Sequence, residues 1–262
     1  MIYTERTYRD TFSKERLEFF SVIVKETDLW IGIDKNSFCD SMVHFCEQQI
    51  IELRNTLDAF IDKTPNFKSS LQPIPFEDNI PIQAKEMIIA STKADIGPMG
   101  SVAGCFANYL GEKIMDNYDV KELIIENGGD IFVKIEEALS VSVFAGDSPF
   151  SEKVGVIIPK GCYGICTSSG TIGHSYSEGI TDALMVVCEN PLLADAYATS
   201  LANKVKSKYD VEAVIKLAKS KIEILSCIII CQDYVGICGN FEFVSFINES
   251  SFKENNYKYD KQ

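Results

Sequence analysis

The chain has 262 residues, 46% of them hydrophobic, and a formal net charge of −13 at pH 7. This length and apolar fraction are enough to bury a full core. The acidic balance, with no basic cluster longer than Lys204, Lys206 and Lys208, argues against a nucleic-acid partner. An anionic small molecule would need a helix N-terminus or a divalent cation to offset the same charge.

The start, MIYTERTYRDTF, is polar and lacks the apolar stretch of a secretory signal, and no run approaches the roughly 18 apolar residues of a membrane helix. We therefore expect a cytoplasmic protein without a membrane partner. Nine cysteines lie between positions 39 and 238 with no CxxC pair, and only two histidines are present. We expect reduced core thiols rather than a zinc site or a disulfide framework.

The N-terminal half is predicted to form two strands followed by helices. LEFFSVIVK (17–25) and DLWIGID (28–34) have strand composition, with a turn at Glu26 and Thr27 between them. From Phe38 the apolar residues keep helical spacing until Thr64 and Pro65. Four prolines from 65 to 81 then predict an extended connection that packs on the body. Further helices are predicted over 82–93 and 98–117, the second with small residues along one face.

The C-terminal half is predicted to be mainly strands. KELIIENGGDIFVKI (121–135) predicts strand, tight turn and strand. Further strands are expected in SVSVFAG, KVGVIIP, YGICTS, ALMVVC, KIEILSCIIICQ and YVGICGNFEFVSFI, and helices over 191–206 and 211–219. This order predicts an α/β (mixed α+β) protein with mixed sheets flanked by helices. We expect a single domain over 1–248 and a flexible tail over 249–262, and exposed sheet edges would allow a homodimer.

Candidate chemistry concentrates in residues 163–203. A loop rich in hydroxyls surrounds Gly170, and it also contains His174, one of the two histidines. Such a loop is expected to curl around a phosphate or another oxyanion. A helix start at Asn190 and Pro191 follows, with an Asp/Thr pair one turn apart on one face of that helix. The candidate ligand-binding residues of the loop are Thr167, Ser168, Ser169 and Gly170, and the Asp/Thr pair is Asp195 and Thr199.

Four separated motifs occur in this order: ADIGPMGSVAGCFANYLGEKI, IIENGGDI, CTSSGTIGHS and ADAYATSLAN. In that order they resemble the motifs of the FAD:protein FMN transferase (ApbE-like) superfamily, over roughly residues 3 to 245. The opening ERTYR, with KETDLWIG and AGDSP, makes the chain similar to an uncharacterised branch of that superfamily.

The resemblance implies an ApbE-like fold and a ligand cleft. By that likeness Asp195 and Thr199 would bind Mg²⁺, which prefers oxygen ligands. The turn Asn127, Gly128, Gly129 and Asp130 would lie near a flavin nucleotide, FAD or FMN. His174 would act as the general base of a transfer reaction.

Two departures from the family pattern bear on activity. Where the transferases carry Lys-Gly-Tyr-Ala-x-Asp, this chain has Ala103 to Asn108, which lacks both the lysine and the aspartate. Where the transferases follow their histidine with Asp-Pro-Arg-Thr-Gly, His174 is followed by SYSEGITDA. Both departures weigh against FMN transfer.

Each candidate also has a purely structural interpretation. Asp195 and Thr199 would fit a solvent-facing helix, and His174 a hydrogen-bonded loop. Gly128 and Gly129 suit any hairpin turn, which Asp130 would only stabilise. A triad of Ser168 or Ser169 with His174 and Asp182 rests on sequence proximity alone. Two functions therefore stay open: a magnesium-dependent flavin transferase or related phosphotransfer enzyme, and a non-catalytic module that keeps the fold and the pocket.

Overall fold

The computed structural model describes residues 16–75, 79–170 and 179–246. Within them the strands are β1 (Leu17–Val24), β2 (Thr27–Asp34), β3 (Leu123–Asn127), β4 (Asp130–Ile135), β5 (Leu139–Ser142), β6 (Val154–Ile158), β7 (Gly161–Ser168), β8 (Ala183–Cys188), β9 (Ser226–Cys231), β10 (Tyr234–Gly239) and β11 (Glu242–Ser245). The helices are α1 (Ser41–Lys63), α2 (Pro65–Ser69), α3 (Ile82–Ala94), α4 (Val102–Asn117), α5 (Pro191–Lys204) and α6 (Val211–Lys219). A 3-10 turn, Pro98–Ser101, leads into α4.

The strands form two sheets. The large sheet has the order β1-β2-β3-β4-β7-β8-β9-β10, and the small sheet the order β11-β6-β5. The expected mixed α/β class is confirmed, but every described strand pair is antiparallel, so the mixture lies in helices with strands and not in strand direction. Two-residue turns explain part of this, because β1–β2, β3–β4 and β9–β10 are joined by connections too short for a parallel crossover.

The large sheet is covered on both faces. Along β8, Leu184 and Val186 belong to the core beneath the helices, whereas Met185 and Val187 belong to the core beneath the small sheet. The alternation is the two-residue period of a strand. All of β8 is buried, as expected of a strand between two layers.

The predicted helices are present with small shifts in their bounds. In α1 the buried positions keep the predicted apolar spacing, although the helix begins at Ser41 and not at Phe38. The connection after it departs from the prediction, because its first part is the helix α2, which buries Phe67. Proline is well suited to the first position of a helix, so Pro65 starts α2 instead of extending the chain. Leu71 is exposed, and Ile74 is the next residue of this connection to be buried.

The helix α5 lies unusually close to its neighbours. A Cβ on Gly104 of α4 would lie 2.4 Å from the carbonyl oxygen of Pro191, and a Cβ on Gly164 of β7 would lie 2.3 Å from the Pro191 Cα. The predicted bare face of α4 therefore receives the start of α5. The first turn of α5 is held between α4 and β7, and this contact positions the candidate site.

The nine cysteines are free thiols. Six of them are buried as expected, but the prediction of a core position is wrong for Cys39 and Cys162, which are exposed, and Cys238 is only partly buried. No helix in the described ranges is long and apolar enough to cross a membrane. The proposed tail, 249–262, lies outside the described residues, and the single-domain assignment stays a prediction.

Candidate functional site

One end of the large sheet brings the predicted motifs together. Because neighbouring strands run antiparallel, the start of β4 lies beside the end of β7, where Asp130 is paired with Cys166. The end of β7 in turn lies beside the start of β8, where Ser168 is paired with Leu184. The Gly-Gly-Asp turn and the hydroxyl-rich loop therefore lie at the same end of the strands, as the predicted cleft requires.

The turn between β3 and β4 depends on two glycines and a buried glutamate. Gly128 has a φ of 69° and Gly129 a φ of 105°, values that favour glycine. The N–H of Gly129 donates to Oε1 of Glu126 at 2.8 Å, and Glu126 is fully buried. Asn127 donates its side-chain N–H to the carbonyl oxygen of Ala103 at 3.0 Å, which ties the turn to α4. Glu126 thus holds the turn, a role that the sequence analysis missed, although its position two residues before Gly128 was a usable signal.

The carboxyl group of Asp130 lies close to other acidic groups. Burial, and then the charge of Asp195, raise the pKa of Asp130 well above its ordinary range. A hydrogen bond with the Cys166 thiol opposes this shift, and the Glu126 carboxylate adds to it. The idea that Asp130 only stabilises the turn is therefore too narrow, because its carboxyl group interacts with Asp195 on another element. We refer to Asp130 and Asp195 as the carboxylate cluster; Glu126, paired with Ile131, lies on the opposite face of the sheet.

Asp195 lies on α5, whose N-terminus is well capped. The Asn190 side chain accepts hydrogen bonds from the N–H groups of Leu192 and Leu193, as predicted for a helix start there. Asp195 is 8% exposed, and its Oδ2 accepts from the N–H of Gly104 at 2.8 Å. The interpretation as a solvent-facing helix position is therefore wrong for Asp195.

The contact between Asp195 and the N-terminus of α4 is electrostatically favourable for a carboxylate. Gly104 is the third residue of α4, where the backbone N–H has no partner within the helix and the helix dipole favours an anion. Burial raises the pKa of Asp195 to about 7, while the N–H groups of Gly104 and Ala103 oppose that rise. Asp195 can therefore exist as a carboxylate near neutral pH, at a position where a second acid lies close by.

Thr199 lies one turn beyond Asp195 on α5 and is partly buried. Its methyl group faces the 3-10 turn before α4, since a Cβ on Gly100 would lie 3.5 Å from the Thr199 Cγ2. Asp195 and Thr199 thus both lie where α5 packs against the start of α4 and the 3-10 turn before it.

The hydroxyl-rich loop is only partly described. Thr167, Ser168 and Ser169 are partly buried, and Gly170 is exposed. The N–H of Thr167 donates to Gly129 at 3.1 Å and that of Gly170 donates to Thr181 at 2.9 Å, so neither N–H is free for an anion. Anion binding by the side-chain hydroxyls stays a prediction. The rest of the loop, residues 171–178 with His174, lies outside the described residues.

A cavity of about 450 Å³ opens at the same end of the sheet, lined by residues 145–149, Asp182 and Gln232. Asp182 accepts from the N–H of Gln232 at 2.6 Å, an interaction that fixes the turn after β9. From β4 to β9 the sheet advances three strands, or about 14 Å. The sequence analysis did not locate this cavity, because it depends on the register of strands far apart in the chain.

Comparison with solved structures defines the class of fold. Over 85% of this chain and 96% of the other, the structure matches flavin transferase ApbE from Vibrio cholerae with a TM-score of 0.53 and 12% identity. It matches the apo form of Pseudomonas stutzeri flavinyl transferase ApbE over 87% and 96%, with a TM-score of 0.53 and 11% identity. The fold is therefore that of ApbE-type flavin transferases.

Sequence comparison then gives the family. A UPF0280 protein of Methanococcus maripaludis strain C6 is 38% identical over 71% of this chain and 76% of its own length. A UPF0280 protein of Methanocaldococcus jannaschii is 34% identical over 83% of this chain and 89% of its own length. The family model described as AbpE bacteria matches residues 9–223, and the chain belongs to that ApbE-like family.

Proposed function

We propose that this protein binds a phosphate-bearing small molecule of the flavin-nucleotide class together with Mg²⁺, at the end of the large sheet. The observation that carries the proposal is the position of the buried Asp195 at the start of α4, close enough to the partly buried Asp130 for its charge to raise the Asp130 pKa. Like charges in a buried site repel each other unless they are protonated or share a cation. Within residues 16–75, 79–170 and 179–246, no ion pair with a basic side chain is found for either acid.

The donor set suits magnesium better than a metal that needs a closed protein cage. Mg²⁺ prefers oxygen ligands and commonly binds through one or two carboxylates together with substrate phosphates. The described part of the chain contains no group of three or more His, Cys, Asp or Glu side chains that could hold a metal ion. Asp195, with Asp130 or Thr199, would supply the protein oxygens and the ligand phosphate the others. Bound there, Mg²⁺ would neutralise phosphate charge in a protein whose net charge is −13.

The remaining polar groups of the edge would orient the ligand. The hydroxyls of Thr167, Ser168 and Ser169 can donate hydrogen bonds to phosphate oxygens without adding positive charge. The cavity beside Gly146 and Gln232 would receive the rest of the molecule, since the separation of about 14 Å along the edge suits a nucleotide longer than one phosphate. We infer that the phosphate lies near the carboxylate cluster and that the ring system of the ligand lies toward the cavity.

Isothermal titration calorimetry with ADP, FMN and FAD tests this proposal. We expect each phosphate-bearing ligand that binds to need Mg²⁺, and to lose its heat signal in EDTA. Riboflavin, which has the ring system but no phosphate, is the matched control and should bind at least tenfold more weakly than FMN. Equal affinity for riboflavin and FMN, or no binding of any nucleotide in Mg²⁺, would contradict the proposal.

Ligand binding does not imply a transfer reaction, and we expect that this protein does not transfer FMN to a protein acceptor. Where the family motif has lysine and aspartate, Ala103 offers only backbone groups at this site, and the buried Asn108 donates to Glu112 Oε1 at 2.9 Å. Incubation with FAD, Mg²⁺ and a protein carrying the transferases' threonine acceptor motif should therefore leave the acceptor mass unchanged. An FMN-mass adduct that disappears in His174→Ala would overturn this and assign His174 as the general base.

A further inference from the structure

Three thiols lie on the helix-covered face of three neighbouring strands, away from the carboxylate cluster. Cys188 of β8 and Cys227 of β9 are buried in the core beneath the helices, and Cys238 of β10 packs against that core. In the register of β9 and β10, Cys238 stands directly opposite Cys227. All three are free thiols. In the described ranges these thiols are not part of a group of three or more His, Cys, Asp or Glu side chains that could hold a metal ion. We therefore consider whether two of them can form a disulfide.

The register selects one pair out of the three. Directly opposed residues of antiparallel strands have Cα atoms about 4.5–5.5 Å apart, within the range of about 4.4–6.8 Å that a disulfide spans. Cys227 is opposed on its other side by Val186 and not by Cys188, which stands two residues further along β8. Such a diagonal neighbour lies about 7–8 Å away, beyond the reach of an unstrained disulfide. Cys227 and Cys238 are therefore the pair that can be joined without moving the strands.

The two thiols differ in access and in acidity. Cys238 is partly exposed on β10, the last strand of the large sheet, whereas Cys227 is buried. A hydrogen bond between the two thiols lowers the pKa of Cys238, and the nearby Lys219 adds to that effect. The same hydrogen bond, together with burial, raises the pKa of Cys227. Cys238 is thus the more acidic and more accessible thiol, as expected for the attacking member of a pair.

We propose that Cys227 and Cys238 form a reversible disulfide between β9 and β10 when the protein meets a small-molecule disulfide of the oxidised-glutathione class.

The reaction balances as a two-step exchange. The Cys238 thiolate attacks one sulfur of the small disulfide, forms a mixed disulfide and releases one small thiolate. Cys227 passes its proton to that thiolate and attacks the Cys238 sulfur, which breaks the mixed disulfide. The second small molecule leaves as a thiolate and takes from solvent the proton that Cys238 gave up when it ionised. The two protein thiols are oxidised to one disulfide, and the small disulfide is reduced to two thiols.

The link would act on the edge of the sheet. A Cβ on Gly236 of β10 would lie 2.6 Å from the side chain of Val211, so β10 packs closely against α6. A covalent bond from β10 to β9 would fix this edge strand and the helix that rests on it. A disulfide in a partly exposed, constrained position has a relatively high reduction potential, so it should be labile and respond to redox conditions.

The test is redox titration of the full chain in glutathione buffers, followed by acid quenching, alkylation with N-ethylmaleimide and peptide mass mapping. From reducing to oxidising buffer, the fraction of protein with peptides containing Cys227 and Cys238 joined should rise from undetectable to more than half, and reducing agent should reverse it. Cys238→Ala should abolish the link, whereas Cys162→Ser, which removes another exposed thiol, should leave it unchanged. The wild-type map needs no variant, so a misfolded Cys238→Ala protein would not affect the decision.

Three results would overturn the proposal. The first is complete alkylation of both residues in the most oxidising buffer. The second is a stable glutathione adduct on Cys238 without the internal link. The third is a disulfide that joins Cys227 to Cys188 instead.

Discussion

Millimolar Mg²⁺ should raise the melting temperature of the wild-type protein and leave that of Asp195→Asn unchanged. A ligand that binds only the folded state stabilises it by about 2.7 kcal/mol at a hundredfold excess over its dissociation constant. Asparagine keeps the shape of Asp195 and an oxygen for the N–H of Gly104, but it removes the charge that would hold the cation. Differential scanning fluorimetry over a series of Mg²⁺ concentrations, with and without FMN, measures the shift.

The control is Asp116→Asn, which removes an exposed carboxylate on α4 away from the cluster and should keep the full shift. Thr199→Val, nearly the same shape without the hydroxyl, should reduce the shift. An identical Mg²⁺ response in wild type and Asp195→Asn would rule out this metal site.

The stability of the metal-free protein and its increase in Mg²⁺ should both depend on pH, in directions set by the raised pKa of Asp195. The pKa of Asp195 is about 7 in the folded protein and near 3.8 in the unfolded chain, so the folded state binds more protons between these values. Metal-free stability should therefore fall as pH rises from about 4 to about 7, and the raised pKa of Asp130 acts in the same direction. Mg²⁺ binds the deprotonated acids, so its stabilising shift should be larger at pH 8 than at pH 5.5.

Gly104→Ala should destabilise the protein by about 2–3 kcal/mol, against the usual preference of a helix for alanine. In an ordinary helix interior the change would stabilise by up to about 1 kcal/mol. Here the new Cβ would lie 2.4 Å from the Pro191 carbonyl oxygen and 2.9 Å from the Asp195 Cβ, so α5 must move. That movement should also weaken Mg²⁺ binding, because it separates Asp195 from the start of α4.

Urea unfolding of Gly104→Ala and of a matched variant, Gly100→Ala, measures the effect. A Cβ on Gly100 would come too close only to the end of the flexible Ile96 side chain, at 2.5 Å, and would be in ordinary contact with the Thr199 Cγ2, at 3.5 Å. Gly100→Ala should therefore change the free energy of unfolding by less than about 0.5 kcal/mol. Equal effects of the two variants would show that α5 is not held tightly at Gly104.

Periodicity was a good guide to the elements of this fold. The β1–β2 hairpin, the buried face of α1 and the strands around Gly128 and Gly129 follow from apolar spacing and turn residues. The helix α2 was missed because Pro65 was interpreted as extending the chain, and a five-residue helix is too short to show a period.

The candidate site was less accessible to sequence reasoning. Glu126 and Asp130 flank a turn, and only the register of β3, β4 and β7 shows where they point: Asp130 lies with Cys166 on the helix-covered face, and Glu126 lies with Ile131 on the face under the small sheet. Asp195 is a polar residue on a helix that is buried on nearly every side, a condition set by α4 and β7 from distant parts of the chain. The Cys227–Cys238 pairing was within reach, since counting outward from the two-residue turn after Cys231 gives the register, but the pattern alone indicated only small core side chains.

The burial of α5 also affects how natural variants of this protein should be interpreted. Ten of its fourteen residues are buried, and the helix that carries Asp195 is therefore also a central part of the folding core. A substitution in it can lower the amount of protein in a cell through unfolding and proteolysis, independently of any effect on ligand binding. Loss of a phenotype in such a variant is informative about chemistry only after its cellular abundance has been measured.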